Sequence, residues 1–199
     1  INKFQESIKN GLIFANSGRL VTFGISPSSP NTGYGYIESE EEICNEKIFS
    51  NIKSFIEKPK IEIANELIKD KHFSWNSGIF LFKASIILRE IKKYNSNIFD
   101  ICENCIEKSQ QDLDFRRIKY KIFEKCPNIS IDTVVMEKTA LGTVVKLDAG
   151  WNDLGSWKSI WEDSKLDKNQ NSLVGKTFVN DVKDSYLRSE NRLLVGLGL

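Results

Sequence analysis

The sequence predicts an α/β fold in which helices flank a mainly parallel sheet. Short apolar runs rich in β-branched residues alternate along the chain with segments whose apolar residues recur at helical spacing. The clearest pair is a helix predicted over residues 3–17, which ends before Gly18, and a buried strand predicted over residues 20–25. Because strands that alternate with helices are typical of layered architectures, we expect helices to cover the sheet.

The elements that follow have the same two patterns. Strands are predicted at 36–37, 52–57, 78–83 and 143–147, and helices at 61–69, 85–94, 97–109 and 113–125. A short helix is expected from Ser130 through Met136. Another is expected through Glu162, after the N-cap residue Ser156.

The character of the sequence changes toward its end. From Leu173 onward, short strands and turns follow one another without helices. We therefore place a boundary near Asp167 and divide the chain into residues 1–167 and residues 168–199. Because Ile1 falls within a predicted helix and the last residues fall within a predicted strand, we expect this chain to be a piece of a larger protein.

Composition and charge exclude several classes of protein. Apolar residues make up 40% of the 199 residues and charged residues 28%, a mix typical of soluble domains rather than disordered or fibrous chains. Lys and Arg number 28 against 27 Asp and Glu, so no strong positive field favours nucleic acid. The apolar runs are too short to span a bilayer, and no signal peptide is recognised. We expect a cytoplasmic protein with neither a nucleic-acid partner nor a membrane partner.

The four cysteines are predicted to be reduced and structural. Cys102 and Cys105 fall on the apolar stripe of a predicted helix, which favours a core-facing position for both over a redox or metal site. A zinc site would need two further ligands nearby, and His72 is the single histidine. Free thiols are typical of cytoplasmic proteins.

The motifs of several enzyme classes are absent. With one histidine and no Gly-x-Ser-x-Gly elbow, the sequence excludes a Ser-His-Asp hydrolase. It also has no complete phosphate-binding loop of the Gly-x-x-x-x-Gly-Lys-Ser/Thr or Gly-x-Gly-x-x-Gly type. What remains are four short segments at the ends of predicted strands, where open α/β sheets bind ligands.

Two of these segments are rich in glycine or in charge. In the segment 32–36, TGYGY, the glycines would let a backbone approach a ligand while the Tyr34 ring forms a wall, although a tight turn explains the pattern too. In Glu57-Lys58-Pro59, the carboxylate can accept hydrogen bonds from hydroxyls and the cation suits a phosphate. An exposed Glu-Lys pair at a strand end is also common surface chemistry.

The other two segments offer an amide and a carboxylate. Asn76, in the segment 75–80, presents a donor and an acceptor in one plane, which matches vicinal sugar hydroxyls, and Gly78 would relieve crowding. The alternative is an Asn turn before a strand. Asp153, in the segment 151–157, precedes a predicted helix start and suits a hard divalent cation that also binds phosphate oxygens. An N-capping role explains this segment nearly as well.

Taken together, these segments resemble the bacterial mannose-1-phosphate guanylyltransferases, or GDP-mannose pyrophosphorylases, of the sugar nucleotidyltransferase superfamily. The strings that carry the resemblance are LVTFGI at 20–25, TGYGYI at 32–37, FIEKP at 55–59, WNSGIF at 75–80, SID at 130–132 with MEK at 136–138, and WNDLGSW at 151–157. Each string is short, but their common order covers most of the chain. The resemblance implies a Rossmann-like nucleotidyltransferase sheet, incomplete because its N-terminal nucleotide-binding part is missing, followed by the start of a β-rich C-terminal extension.

The resemblance also implies a reaction and its residues. Mannose 1-phosphate and GTP would give GDP-mannose and pyrophosphate, with Mg²⁺ as the cofactor, and homo-oligomerisation is compatible with the family. Lys58 would hold the sugar's phosphate and Asp153 would bind the magnesium ion, which makes these two the implied catalytic residues. The implied substrate-binding residues are Gly33, Tyr34, Gly35, Glu57, Lys58, Asn76 and Gly78.

Three alternatives stay open at this point. The first is a nucleotidyltransferase for another sugar 1-phosphate, and the second is a non-catalytic regulatory relative that keeps the sugar pocket. The third is a plain structural module, which would not bind mannose 1-phosphate. The glycine-rich loop that grips the nucleotide phosphates in the family is not among these residues. We therefore expect this chain alone to be inactive.

Overall fold

The computed structural model describes residues 1–199, which form two compact units, Ile1–Ala149 and Gly150–Leu199. The helices are α1 (Asn2–Asn16), α2 (Ile61–Leu67), α3 (Ala84–Tyr94), α4 (Ser96–Glu107), α5 (Tyr120–Phe123) and α6 (Trp157–Glu162), and a π-helical turn spans Asp132–Met136. The strands are β1 (Leu20–Ile25), β2 (Tyr36–Ser39), β3 (Phe49–Ile56), β4 (Phe73–Leu81), β5 (Gln110–Asp112), β6 (Phe115–Arg117), β7 (Gly142–Lys146), β8 (Ser172–Asn180) and β9 (Tyr186–Leu197). No helix is both long enough and apolar enough to cross a membrane.

Five strands of the first unit form a closed barrel in the order β1-β4-β2-β3-β7. β1 runs parallel to β7, and the other four pairings are antiparallel. The α/β class with flanking helices is confirmed, but the mainly parallel pairing that we predicted is wrong for these strands. The reason is partly local, because the short connection 40–48 returns the chain so that β3 runs antiparallel to β2.

Side chains of β1 pack in two directions, because successive residues of a strand point to opposite sides. Val21 and Phe23 face α1, where Gly11 lets the helix approach closely. A Cβ on Gly11 would lie 3.1 Å from Phe23 Cζ and 3.3 Å from Val21 Cγ1. Leu20 lies on the other face, in a buried cluster with Ile87 of α3 and residues of the π-helical turn. The π-helical turn is therefore fixed against the sheet by apolar packing.

β4 begins earlier than predicted and contains a bulge. It starts at Phe73 rather than at residue 78, so Asn76 lies inside the strand and not in a turn before it. The registers on either side of the bulge pair Thr22 with Phe80 and Gly24 with Asn76. One residue of β1 thus faces three of β4, and Gly78 takes a φ of 70° within the bulge.

The helix predicted over residues 113–125 is wrong. β5 and β6 form a hairpin whose turn at Leu113 has a φ of 52°, and only the short helix α5 follows. Phe115, one of the apolar residues that suggested the helix, is 60% exposed. Asp112 accepts a hydrogen bond from Arg117 across the hairpin at 2.9 Å. Aspartate at a turn competes with helix formation, which explains why the apolar spacing was misleading here.

The burial of the helical cysteines differs in part from the prediction. Cys105 is buried, as predicted, whereas Cys102 is exposed, so its predicted core-facing position is wrong. The core-facing stripe of α4 is narrower than the apolar pattern indicated, because Ile106 is also 50% exposed. All four cysteines are free.

The second unit contains α6 and the β8–β9 pair. Ser156 caps α6, as predicted, by accepting a hydrogen bond from the Ser159 amide at 3.1 Å. Trp161 Nε1 donates to the Gln170 carbonyl oxygen at 2.8 Å, which ties α6 to the segment before β8. The compact units therefore divide before α6, at residues 149 and 150, whereas the sequence predicted a boundary near Asp167.

β8 and β9 run parallel although only residues 181–185 join them. Asn171 holds this short connection, since its Nδ2 donates to the Val182 carbonyl oxygen at 2.8 Å and its Oδ1 accepts from the Ser185 amide at 3.2 Å. The strand-rich character predicted for the C-terminal part is thus present.

Arg19 joins the starts of β1 and β7 to β3. Its Nε donates to Thr143 Oγ1 at 2.8 Å and its Nη1 to the Ala140 carbonyl oxygen at 3.1 Å. Its Nη2 donates to the Gly142 carbonyl oxygen and to Asn51 Oδ1, both at 2.6 Å. One side chain thereby satisfies acceptors from three segments.

Replacing Arg19 with alanine is expected to lower the free energy of unfolding by about 1.5–3 kcal/mol, because part-buried acceptors lose a charged donor. The control is Arg117→Ala, whose guanidinium is 62% exposed in its pair with Asp112. That change is expected to cost less than about 1 kcal/mol. Urea denaturation followed by circular dichroism measures both values. Equal losses in the two variants would contradict the role given to Arg19.

Candidate functional site

Three of the predicted site residues meet at one place in the first unit. The Asn76 amide donates to the Gly35 carbonyl oxygen at 2.8 Å, which joins β4 to the residue before β2. A Cβ on Gly35 would lie 2.7 Å from Glu57 Oε2 and 3.4 Å from the Asn76 Cβ. Glycine at this position therefore lets the end of β3 and the middle of β4 approach each other, and no larger residue fits without displacement.

The Asn76 carboxamide is buried and held on both sides. The Thr22 hydroxyl of β1 donates to Asn76 Oδ1 at 2.8 Å, and Asn76 Nδ2 donates to Asp132 Oδ1 at 3.1 Å. Asn76 is 9% exposed, and Thr22 is fully buried. A carboxamide has two N–H donors and two acceptor lone pairs, so one of each remains for a ligand.

Glu57 and Asp132 place two carboxyl groups in this region. Burial raises the pKa of the Glu57 carboxyl, and the neighbouring charge of Asp132 raises it further, while Lys58 opposes both effects. Burial also raises the pKa of Asp132, against hydrogen bonds from its own backbone amide and from Asn76 and against the charge of Lys58. Both carboxyls are therefore harder to ionise than exposed ones, a pattern that is common at functional sites.

Lys58 supplies the positive charge beside these carboxyls. Its Nζ lies 3.5 Å from Glu57 Oε1, and its side chain is 63% exposed against 22% for Glu57. Its backbone has a φ of 45°, an uncommon conformation for a residue with a Cβ. The ammonium group can thus reach toward solvent while the carboxylate stays in the site. Buried acceptors beside an exposed cation suit a ligand that carries hydroxyls and an anionic group.

The remaining predicted residues of the first unit have other surroundings. The Gly33 amide donates to Asn31 Oδ1 at 2.8 Å within a turn. The Tyr34 ring packs edge-on against Trp75, with ring centroids 5.0 Å apart. Trp75 precedes Asn76 in β4, so the two side chains point to opposite faces of the strand. Gly78 lies in the bulge, and nothing lies within 4 Å of the Cβ that it lacks. Their assignment to substrate binding stays a prediction.

Asp153 belongs to the second unit and is exposed. It follows Asn152, whose Oδ1 accepts a hydrogen bond from the Leu154 amide at 3.0 Å, and a Cβ on Gly155 would lie 2.7 Å from Asp153 Oδ2. This turn presents the carboxylate to solvent ahead of α6. The structure contains no group of three or more His, Cys, Asp or Glu side chains placed to hold a metal ion. The metal-binding role of Asp153 stays a prediction.

Thr22 and Asp132 are site residues that reasoning from the sequence missed. Both lie in strings that carry the family resemblance, but neither was given a role. They contact Asn76 across 54 and 56 residues of sequence, and local pattern does not predict contacts at that separation. A threonine in an otherwise apolar buried strand was the one available signal, because a buried hydroxyl needs a hydrogen-bond partner.

Comparison with known proteins places this chain in a family. A family model described as nucleotidyl transferase matches residues 3–170. The mannose-1-phosphate guanylyltransferase of Salmonella muenchen is 43% identical over 196 residues, covering 98% of this chain and 41% of the relative. The alginate biosynthesis protein AlgA of Pseudomonas aeruginosa is 41% identical over 196 residues, with 98% and 41% coverage. The chain thus spans about two fifths of the length of these curated relatives.

A solved structure has the same fold over nearly the whole chain. The crystal structure of mannose-1-phosphate geranyltransferase from Thermus thermophilus superposes with a TM-score of 0.79 at 25% identity, covering 99% of this chain and 56% of that chain. The family match and this superposition extend well beyond half of the residues. The chain therefore belongs to the nucleotidyl transferase family.

Proposed function

We propose that the protein to which this chain belongs joins GTP and mannose 1-phosphate to give GDP-mannose and pyrophosphate. The observation that carries the proposal is the meeting of Gly35, Glu57 and Asn76 beside Lys58. This arrangement supplies acceptors, an amide and a cation, the groups that a phosphorylated sugar needs. The names of the relatives support mannose 1-phosphate as the sugar and guanylyl as the transferred group.

Each residue has a role that follows from its position. Glu57 accepts hydrogen bonds from sugar hydroxyls. Asn76 donates its remaining N–H to a sugar hydroxyl and accepts from another with its remaining lone pair. Gly35 lets Glu57 and Asn76 approach each other closely, so that both can bind one sugar ring. Lys58, whose side chain is largely exposed, binds the sugar's phosphate. Gly33, Tyr34 and Gly78 are the further residues proposed to line the substrate.

The reaction is an in-line attack by a phosphate oxygen of the sugar phosphate on the α-phosphorus of GTP, with pyrophosphate as the leaving group. No covalent enzyme intermediate is needed, so the protein has to align two anionic substrates and offset their charge. Asp153 is the proposed ligand of Mg²⁺, since an exposed carboxylate suits a hard cation that takes its other ligands from phosphate oxygens and water. Bound Mg²⁺ would offset charge on the phosphates. We propose that the reaction takes place in the cytoplasm.

Lys58→Ala in the full-length protein is expected to raise KM for mannose 1-phosphate by roughly 30- to 150-fold, or about 2–3 kcal/mol, because a charged contact to phosphate is lost. KM for GTP should stay close to the wild-type value. The matched control is Lys60→Ala, which removes an exposed lysine two residues away. Steady-state kinetics with each substrate varied in turn measures the effect. An unchanged KM for the sugar phosphate would remove Lys58 from the site.

Asp153→Asn is expected to lower kcat at saturating magnesium by roughly a hundredfold, because an uncharged amide is a weaker ligand for Mg²⁺ during phosphoryl transfer. Asp163→Asn, at another exposed aspartate of the second unit, serves as the control and should keep its activity. Initial rates across a magnesium titration distinguish a lower kcat from a weaker magnesium affinity. Equal activity of the two variants would exclude Asp153 as the metal ligand.

Substrate choice is tested with a panel of sugar 1-phosphates and nucleoside triphosphates. We expect the highest kcat/KM with mannose 1-phosphate and GTP, measured as pyrophosphate release. A preference for glucose 1-phosphate or another base would replace the guanylyltransferase assignment with a different nucleotidyltransferase. No turnover of any pair, together with retained sugar-phosphate binding, would favour the regulatory relative.

A further inference from the structure

The orientation of the Asn76 carboxamide is not fixed by Thr22. The Thr22 hydroxyl lies 2.8 Å from Asn76 Oδ1 and 3.2 Å from the Ile79 carbonyl oxygen, and it has a single hydrogen to donate. If the carboxamide were rotated by half a turn, the hydroxyl could donate to Ile79 and accept from the Asn76 amide. Both arrangements give the Thr22 hydroxyl its hydrogen bonds, so the orientation of the carboxamide must depend on another group.

Asp132 is the group that can fix the orientation of the Asn76 carboxamide. Its Oδ1 lies 3.1 Å from Asn76 Nδ2, and an ionised carboxylate accepts hydrogen bonds but donates none. Only the observed orientation, with the NH₂ group toward Asp132, avoids setting two acceptors against each other. The π-helical turn holds Asp132 in place, because the Glu137 amide donates to its carbonyl oxygen at 2.9 Å and the following Val134–Met136 are buried.

We propose that Asp132 is a positioning residue for sugar recognition, which fixes the Asn76 carboxamide so that its free N–H and lone pair face the sugar hydroxyls. The inference rests on the proposed function and deepens it, since it names a residue that determines how the sugar is read. Asp132 acts through Asn76 and needs no contact with the substrate. Because hydroxyl recognition depends on which group donates, a rotated carboxamide would set donor against donor and weaken binding.

The charges around the two carboxyls predict a pH dependence. Glu57 is influenced by Asp132, Lys58 and Glu137, and Asp132 by Asn76, Lys58 and Ser130. Because the pKa values of Glu57 and Asp132 are both raised, each group takes up a proton at a higher pH than an exposed carboxyl does. Protonation lets Asp132 donate and removes an acceptor from Glu57, so sugar-phosphate binding should weaken as the pH falls through these raised pKa values.

The raised pKa of Asp132 also predicts how the stability of the fold changes with pH. A carboxyl whose folded-state pKa is raised binds its proton more tightly in the folded state than in the unfolded one. Ionisation as the pH rises through that pKa therefore lowers the stability of the fold. At neutral pH, Asp132→Asn removes this charge and leaves a side chain of the same shape. We expect its melting temperature to be no lower than that of the wild type, an outcome that a purely structural aspartate would not give.

The test compares Asp132→Ala and Asp132→Asn in the full-length protein. Asp132→Ala should raise KM for mannose 1-phosphate by roughly ten- to a hundredfold, since the carboxamide loses the acceptor that orients it. Its kcat and its KM for GTP should stay within about threefold of the wild type, a difference of less than 1 kcal/mol. Asp132→Asn should raise the same KM by a smaller factor. It should also move the acid limb, the loss of sugar-phosphate binding as the pH falls, to lower pH, because Glu57 loses a neighbouring negative charge.

The control variant is Asp112→Asn in the exposed β5–β6 hairpin, which should change neither KM nor the acid limb. Titration of the sugar phosphate itself is common to all variants, so it cancels in the comparison. Wild-type binding of mannose 1-phosphate with an unchanged KM in Asp132→Ala would overturn this inference alone. A wild type that does not bind mannose 1-phosphate would overturn the proposed function as well. If Asp132→Ala fails to fold, the KM of Asp132→Asn for mannose 1-phosphate is the deciding measurement, and a KM equal to the wild-type value at every pH contradicts the proposal.

Discussion

The burial of Asn76 is the constraint on which the arrangement of the first unit depends. A buried carboxamide has to find partners for its polar atoms, and those partners come from separate segments. Its side chain is hydrogen-bonded to Thr22 of β1 and to Asp132 of the π-helical turn. Its backbone amide donates to the carbonyl oxygen of Gly35, just before β2. Loss of any one contact would leave a polar atom unpaired away from water, which costs about 1–3 kcal/mol. The network therefore fixes three strands and one turn relative to a single residue.

Features that cost free energy are concentrated around this point. Glu57 and Asp132 have raised pKa values, and Lys58 has a positive φ. On β4 beside Asn76, Ser74 Oγ and Trp75 Nε1 are buried without a hydrogen-bond partner. Selection for stability alone would replace such groups, because apolar residues in place of the buried polar groups and glycine in place of Lys58 would remove these costs. Their clustering at one place favours a ligand-binding role for the site over a structural one.

The sequence predicted those parts of the molecule that depend on local pattern. The strand at 20–25 was predicted with its observed bounds, because an apolar β-branched run that is covered on both faces has a distinctive composition. Ser156 was predicted as a cap, since capping acts over three residues. The helix predicted at 113–125 is wrong because the spacing of its apolar residues does not reveal the competing turn at Leu113. Local pattern likewise does not predict the hydrogen bond between Asp132 and Asn76, which lie 56 residues apart.

Under the proposed function, the burial of Glu57 and the exposure of Lys58 would separate recognition of the sugar from recognition of its phosphate. Glu57 is 22% exposed and Lys58 is 63% exposed, although they are adjacent in sequence and their charged atoms lie 3.5 Å apart. Lys58 offsets only part of the effect of burial on the pKa of Glu57, and its exposed ammonium group remains accessible to an anion. The positive φ of Lys58 turns the chain at this point, which allows the two side chains to occupy different depths. A helical or extended backbone at Lys58 would point its side chain in another direction, so this strained conformation would let one dipeptide serve two chemical groups of the proposed ligand.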